Sequence, residues 1–256
     1  MLLQIIWEWL EGEVFNLSSE PAGPKPRFNP YRDVDPAVDR PHADRIRREN
    51  LRRYLESFTA WPEGLVLGEA PGWRGCRFSG VPFTSEAQLG GELPFCGAPS
   101  SLGLHPYREA TATVFWKVMQ DDHPRFLAWN SLPLHPHLPG QPLSNRKPSS
   151  DEICAASTRL RTLVRLLHPR KIVAVGKSAQ AALVCLGLEG VVVRHPGHGG
   201  TKAFENGMRA VFDRGVYDRA VFDLHESAAG LPSLSDGTID YNSGTFLAPT
   251  QNQNMP

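Results

Sequence analysis

From about residue 65 to residue 214, short apolar runs alternate with amphipathic stretches, and this alternation constrains the chain more than any other feature. A strand, a crossing helix and a further strand, repeated, build a parallel sheet that is covered by helices on both sides. Leu65–Leu67, closed by Gly68, reads as a first buried strand, Arg125–Asn130 as a second, Ile172–Val175 as a third and Val191–Arg194 as a fourth. Helices are predicted over Ala110–Gln120, Asp151–His168, Ser178–Leu186 after Gly176, and Thr201–Arg214. The second of these carries Ile153, Ala156, Leu160, Leu163, Val164 and Leu167 on one face, with Ser150 as its expected cap. The expected fold is a three-layer α/β/α sandwich with a mostly parallel central sheet.

Outside that core the composition shifts. Pro21, Pro24, Pro26, Pro30 and Pro36 suggest that residues 1–36 form an N-terminal extension and a stiff linker, followed by a domain over 37–219. A helix over about 38–58 places Leu51, Tyr54, Leu55 and Phe58 on one side and Arg45, Arg47, Arg48, Arg52 and Arg53 on others, so the arginines read as a solvated face or a phosphate-tracking one. Residues 1–219 hold 27 basic against 23 acidic side chains, whereas 220–256 carry only Asp223, Glu226, Asp236 and Asp240 and read as an acidic, flexible tail. Cys76, Cys96, Cys154 and Cys185 contain no closely spaced pair, which predicts reduced thiols and a cytoplasmic protein. The apolar start Met1–Ile6 is too short for a leader or a membrane span, and a monomer with no membrane partner is expected.

In an open α/β sheet the ligand crevice lies beyond the carboxyl ends of the strands. The first strand runs into Gly68-Glu69-Ala70-Pro71-Gly72, the second ends at Asn130, and the fourth delivers His195. A carboxylate, a carboxamide and an imidazole therefore converge on one crevice. The Gly- and Pro-rich segment Gly72–Gly103 is too long for an idle connection and is expected to help form a binding site.

These residues carry a resemblance. GEAPGWRGCRFSGVPFTSE (68–86), LAWNSLPLHPH (127–137) and HPGHGG (195–200) resemble, in order and spacing, the three active-site motifs of the uracil-DNA glycosylase superfamily, above all the branch whose first motif begins Gly-Glu-Ala-Pro-Gly. The likeness spans about residues 45–215. It implies an enzyme of base-excision repair that flips uracil, or another deaminated base, out of DNA and hydrolyses its N-glycosidic bond. His195 would donate to the uracil O2, Asn130 would pair with N3–H and O4, Phe83 would stack on the base, and Gly68 and Ala70 would complete the base site. Glu69, the only carboxylate in the motif core, is expected either to orient the attacking water or to orient the loop through hydrogen bonds to backbone amides. Where the family's last motif usually reads His-Pro-Ser, this chain has His-Pro-Gly, and the amides of Gly197, Gly199 and Gly200, with His198 or Lys202 beside them, are expected to approach DNA phosphates.

Departures from the family pattern accompany the likeness. Ala70 stands where some branches have a water-positioning Asp, and Gly72 where they have a thymine-excluding Tyr. Relatives with this first motif often bind an iron–sulfur cluster through four cysteines, including a close pair that this chain lacks, so no cofactor and no metal are expected. Two other readings stay open on the sequence: a catalytically silent DNA- or nucleotide-binding module, and a metal-dependent hydrolase built on His135, His137, His195 and His198.

Overall fold

The structure, a computed structural model, describes residues 2–20, 24–91 and 93–212. In chain order the main elements are α1 (Leu2–Glu13), β1 (Arg27–Phe28), α2 (Ala43–Glu56), β2 (Gly64–Gly68), α3 (Cys76–Ser79), α4 (Ala110–Met119), β3 (Phe126–Asn130) and β4 (His135–Pro136). They continue with α5 (Ser150–Leu167), β5 (Lys171–Val175), α6 (Lys177–Leu186), β6 (Val191–Val193) and α7 (Thr201–Phe212). Four strands form one parallel sheet in the order β3-β2-β5-β6, while β1 and β4 pair antiparallel apart from it.

Strands β2 and β3 are buried along their whole length, as their near-continuous apolar runs require, whereas the edge strand β6 leaves Val191 and Val192 exposed. Alternation along β3 sorts the layers. Phe126 packs on Phe115 of α4 and Phe212 of α7, whereas Trp129, an odd step along, meets Trp9 of α1 from the other face. Helices α1, α5 and α6 thus make one layer, with α6 against β5 and β2, and α4 and α7 make the other. This is the expected α/β/α sandwich. The outer edge of β3 is closed by α2, where the Ala128 N–H donates to the Tyr54 hydroxyl at 2.8 Å.

Several expectations change in detail. The N-terminal segment is no appendage: Leu2, Ile6, Trp9, Leu10, Val14 and Phe15 are buried in the same core as the sheet, and Asn29 donates to the carbonyls of Val14, Phe15 and Leu17. Prolines mark the path of this segment, and its apolar positions decide its packing. Arg47 lies inside the protein, not on a solvated or phosphate-facing side. It shares the buried Asp39 carboxylate with Arg77, and both guanidiniums lie over the Phe28 ring. Arg52 and Arg53 do face solvent and pair with Glu49. The cap of α5 is Ser149, in a capping box with Glu152, one residue before the Ser150 expected. Cys154 and Cys185 are joined in a disulfide between α5 and α6, not reduced, a pairing that only the adjacency of two helices reveals. Residues 213–214 of the expected last helix, the boundary at 219 and the acidic tail lie outside the described residues.

The long segment after β2 is organised by one carboxylate. Glu86, buried, accepts from the amides of Ser100, Ser101 and Tyr107 and from the Ser101 hydroxyl. Four donors on one anion fix a loop that regular structure does not.

Candidate active site

A cleft of about 500 Å³ opens at the carboxyl edge of the sheet and is lined by residues from all four strand ends. Parallel register sets Gly68 beside Asn130, so the first two motifs meet by strand pairing alone. The first-motif loop is held from below: Ser131 donates to the Gly68 carbonyl through both its amide and its hydroxyl, at 2.9 and 2.8 Å, and the Leu132 amide donates to the Glu69 carbonyl at 3.0 Å. His135 adds a 2.7 Å contact from Nδ1 to the Pro71 carbonyl.

At Gly68 the absence of a side chain is a steric requirement. A Cβ there would lie 2.8 Å from the Phe83 ring and 3.0 Å from Asn130 Oδ1. The ring and the amide therefore share one spot over the strand end. Phe83 holds a left-handed backbone, φ 53°, and stacks on Phe115 with centroids 4.3 Å apart. Such strain in a bulky residue is tolerated where the surroundings fix it, typically at sites. Asn130 is 6% exposed, and its Nδ2 donates weakly to Cys76 Sγ at 3.6 Å. Burial pushes that thiol up to about 12, so it is neutral.

His195 follows β6 and is oriented by its own turn. The Gly197 amide donates to Nδ1 at 3.0 Å, which leaves Nε2 as the nitrogen that carries hydrogen. Burial lowers its pKa below the ordinary imidazole value; Glu69 opposes the shift, and His198 and Arg194 add to it. The imidazole is thus a neutral N–H donor at pH 7. Glu69 is half-buried beside it and accepts a short hydrogen bond from the Ser178 hydroxyl at the start of α6.

The expected base-site residues Gly68, Ala70, Phe83 and Asn130, together with Glu69, His195, Gly197 and His198, all line this one cleft. The phosphate group of residues does not stay together. The Gly197 amide is engaged by His195, the Gly200 amide donates to the Gly197 carbonyl at 3.1 Å, and Lys202 lies off the cleft, paired with Glu205 on α7. His198 and Gly199 remain exposed, both with positive φ. The four histidines do not gather as ligands either. His135 has Nδ1 on the Pro71 carbonyl and Nε2 on the Pro142 carbonyl, His137 has Nδ1 on the Leu138 carbonyl, and no group of three or more His, Cys, Asp or Glu suited to a metal occurs among the described residues. The cysteines likewise do not fit a four-thiolate cluster, since two are bonded to each other, Cys76 is buried and Cys96 is exposed.

Among the cleft residues that escaped the sequence reading are Ser178, Lys177, Lys147 and Glu109. Ser178 and Lys177 follow β5 directly, so the strand-end rule, applied to the third strand as well, finds them. Glu109 and Lys147 come from irregular chain and carry no such signal.

A family model described as "Uracil DNA glycosylase superfamily" matches residues 58–222. No curated protein matches by sequence. Among solved structures, wild-type SMUG2 of Pedobacter heparinus is similar, with a TM-score of 0.61 at 12% identity, over 82% of this chain and 96% of that one.

Proposed function

Because the chain belongs to the uracil DNA glycosylase superfamily, we propose that it is a DNA glycosylase of base-excision repair, of the branch with a Gly-Glu-Ala-Pro-Gly first motif, acting on uracil or another deaminated base rotated out of the stack into the cleft. The observation that carries this reading is the tautomer of His195, whose Nδ1 is occupied by the Gly197 amide.

Hydrolysis breaks the bond from C1′ to N1, leaves the electron pair on the base and adds water oxygen to C1′. The departing base is anionic, so a donor aimed at its O2 lowers the barrier most. Nε2–H of His195 provides that donor without itself giving up a proton. Oδ1 of Asn130 accepts from N3–H and Nδ2 donates to O4, exchanging its weak thiol contact for a base carbonyl. Cytosine, with an amino group at C4 and no N3 proton, leaves both ends of the amide unpaired. Phe83, backed by Phe115, offers its face to the base. Glu69, held by Ser178, orients the water on the C1′ side and takes its proton. His198, the exposed turn at Gly199, and the cleft-lining Lys147 and Lys177 supply contacts to the DNA backbone.

The test is release of free uracil from a labelled oligonucleotide in the presence of EDTA. A glycosylase of this kind works unchanged, a metal-dependent hydrolase loses activity, and a silent binding module releases nothing. Either of the last two results overturns the proposal.

A further inference from the structure

One carboxyl in the cleft has no task in the mechanism above. Glu109, at the entry to α4, lines the cleft and has no side-chain hydrogen bond or ion pair among the described residues. Its carboxyl occupies room that two glycines leave free: a Cβ at Gly72 would lie 2.3 Å from Oε1, and one at Gly75 would lie 2.1 Å from Oε2. Any other residue at either position would displace it.

Its neighbours place it on the base-reading side. Its carboxyl lies against Gly75, next in sequence to Cys76, the thiol to which Asn130 donates. Glu69 belongs to the other end of the cleft, with Ser178 and His195. The charged or titratable groups on the surrounding segments do not neutralise Glu109. Cys76 is an un-ionised thiol, Arg74 lies over the Trp73 ring, Arg146 is paired with Glu152 at 2.8 Å, and Arg108 and Lys147 are exposed. Burial alone lifts the Glu109 carboxyl to about 7.

We propose that Glu109 is a specificity-determining residue of this site, reading the base beside Asn130 as a neutral carboxylic acid whose O–H donates to a base carbonyl. The inference rests on the glycosylase reading. It assigns to the site bases that present a carbonyl where the parent base presents an amino group, and it makes their recognition depend on one proton. When Glu109 ionises, its carboxylate has no hydrogen to donate and repels the carbonyl oxygen, and the anion of the departing base as well. Burial moves the titration of His195 to the acid side of its ordinary range, so it contributes no alkaline limb.

The experiment is single-turnover release of uracil from a single-stranded oligonucleotide between about pH 6 and pH 8.5, with wild type, Glu109→Gln and Glu109→Ala. The wild-type rate should fall roughly tenfold per pH unit above a midpoint near 7. The Gln variant keeps a donor and an acceptor but cannot ionise, so its rate should stay within about threefold of its pH 6 value throughout. The Ala variant should be flat in pH and about tenfold slower than wild type at pH 6. A merely structural glutamate gives parallel profiles for wild type and Gln, and that result overturns the inference, as does a flat wild-type profile. Uracil release that wild type performs but Glu109→Gln leaves unaltered in pH dependence removes only the role of Glu109. Wild type that releases no uracil at any pH overturns the glycosylase reading, and this inference with it.

Discussion

Glu86 and Glu109 stand on the same long segment between β2 and α4 and receive opposite treatment. The first is buried under four donors and organises the loop; the second faces the cleft with no side-chain partner among the described residues. The same contrast separates the Asp39 cluster, where two guanidiniums share one carboxylate and lie on aromatic rings, from the sheet's carboxyl edge, where His195 keeps Nε2 open and Glu69 holds a single hydroxyl. Polar groups paired inside the core specify the fold, even where the Nε atoms of Arg47 and Arg77 find no acceptor among the described residues, and those that face the cleft short of partners have capacity for a substrate.

Four substitutions press on that contrast. Asp39→Asn should do the most to stability, about 3–5 kcal/mol by denaturant unfolding, because it leaves Arg47 and Arg77 buried without a counter-charge. The activity of the molecules that remain folded should be unchanged; a loss under about 1 kcal/mol would mean that the cluster is not structural. His195→Ala should show the reverse pattern, slowing base release about 100-fold or more with the melting temperature held. An unaltered rate would remove His195 from the mechanism. Glu69→Gln should follow with a loss of about tenfold or more in the single-turnover rate. If Gln is nearly active while Ala is both slow and unstable, Glu69 belongs with Glu86 as a scaffold carboxylate. Smallest is Tyr54→Phe, expected to cost about 1 kcal/mol by leaving the Ala128 amide of the edge strand without its acceptor. That change should not touch the rate, and a rate change would link the sheet edge to the cleft.

How much of this was legible in the sequence depends on the range of the interaction. The four strands and their helices follow from local periodicity, and the convergence of Glu69, Asn130 and His195 follows from strand order, so both could be read directly. The burial of Arg47 could not, because its position on α2 gives no sign that Asp39 and Arg77 will meet it from distant segments. The same holds for Cys154 with Cys185, and for Glu109, whose room is made by Gly72 and Gly75. In the turn after His195, sequence suggested free glycine amides, but two of them close the turn on itself. Local hydrogen bonding took the donors that a phosphate contact would need.

The packing of α1 also has a meaning in time. Its apolar face, with Ile6, Trp9 and Leu10, is covered by partners that include Trp129 on β3 and helix α5, and the α5 residue Arg159 donates to the carbonyl of Glu13 at 3.0 Å. At a synthesis rate of about 5–20 residues per second, α5 is complete roughly 8 to 30 s after α1 has been made. Until then its site is incomplete: α2 and then β3 supply the earlier parts of it, and α5 the last. A helix made before the sheet it packs on therefore completes its packing only once α5 has been made.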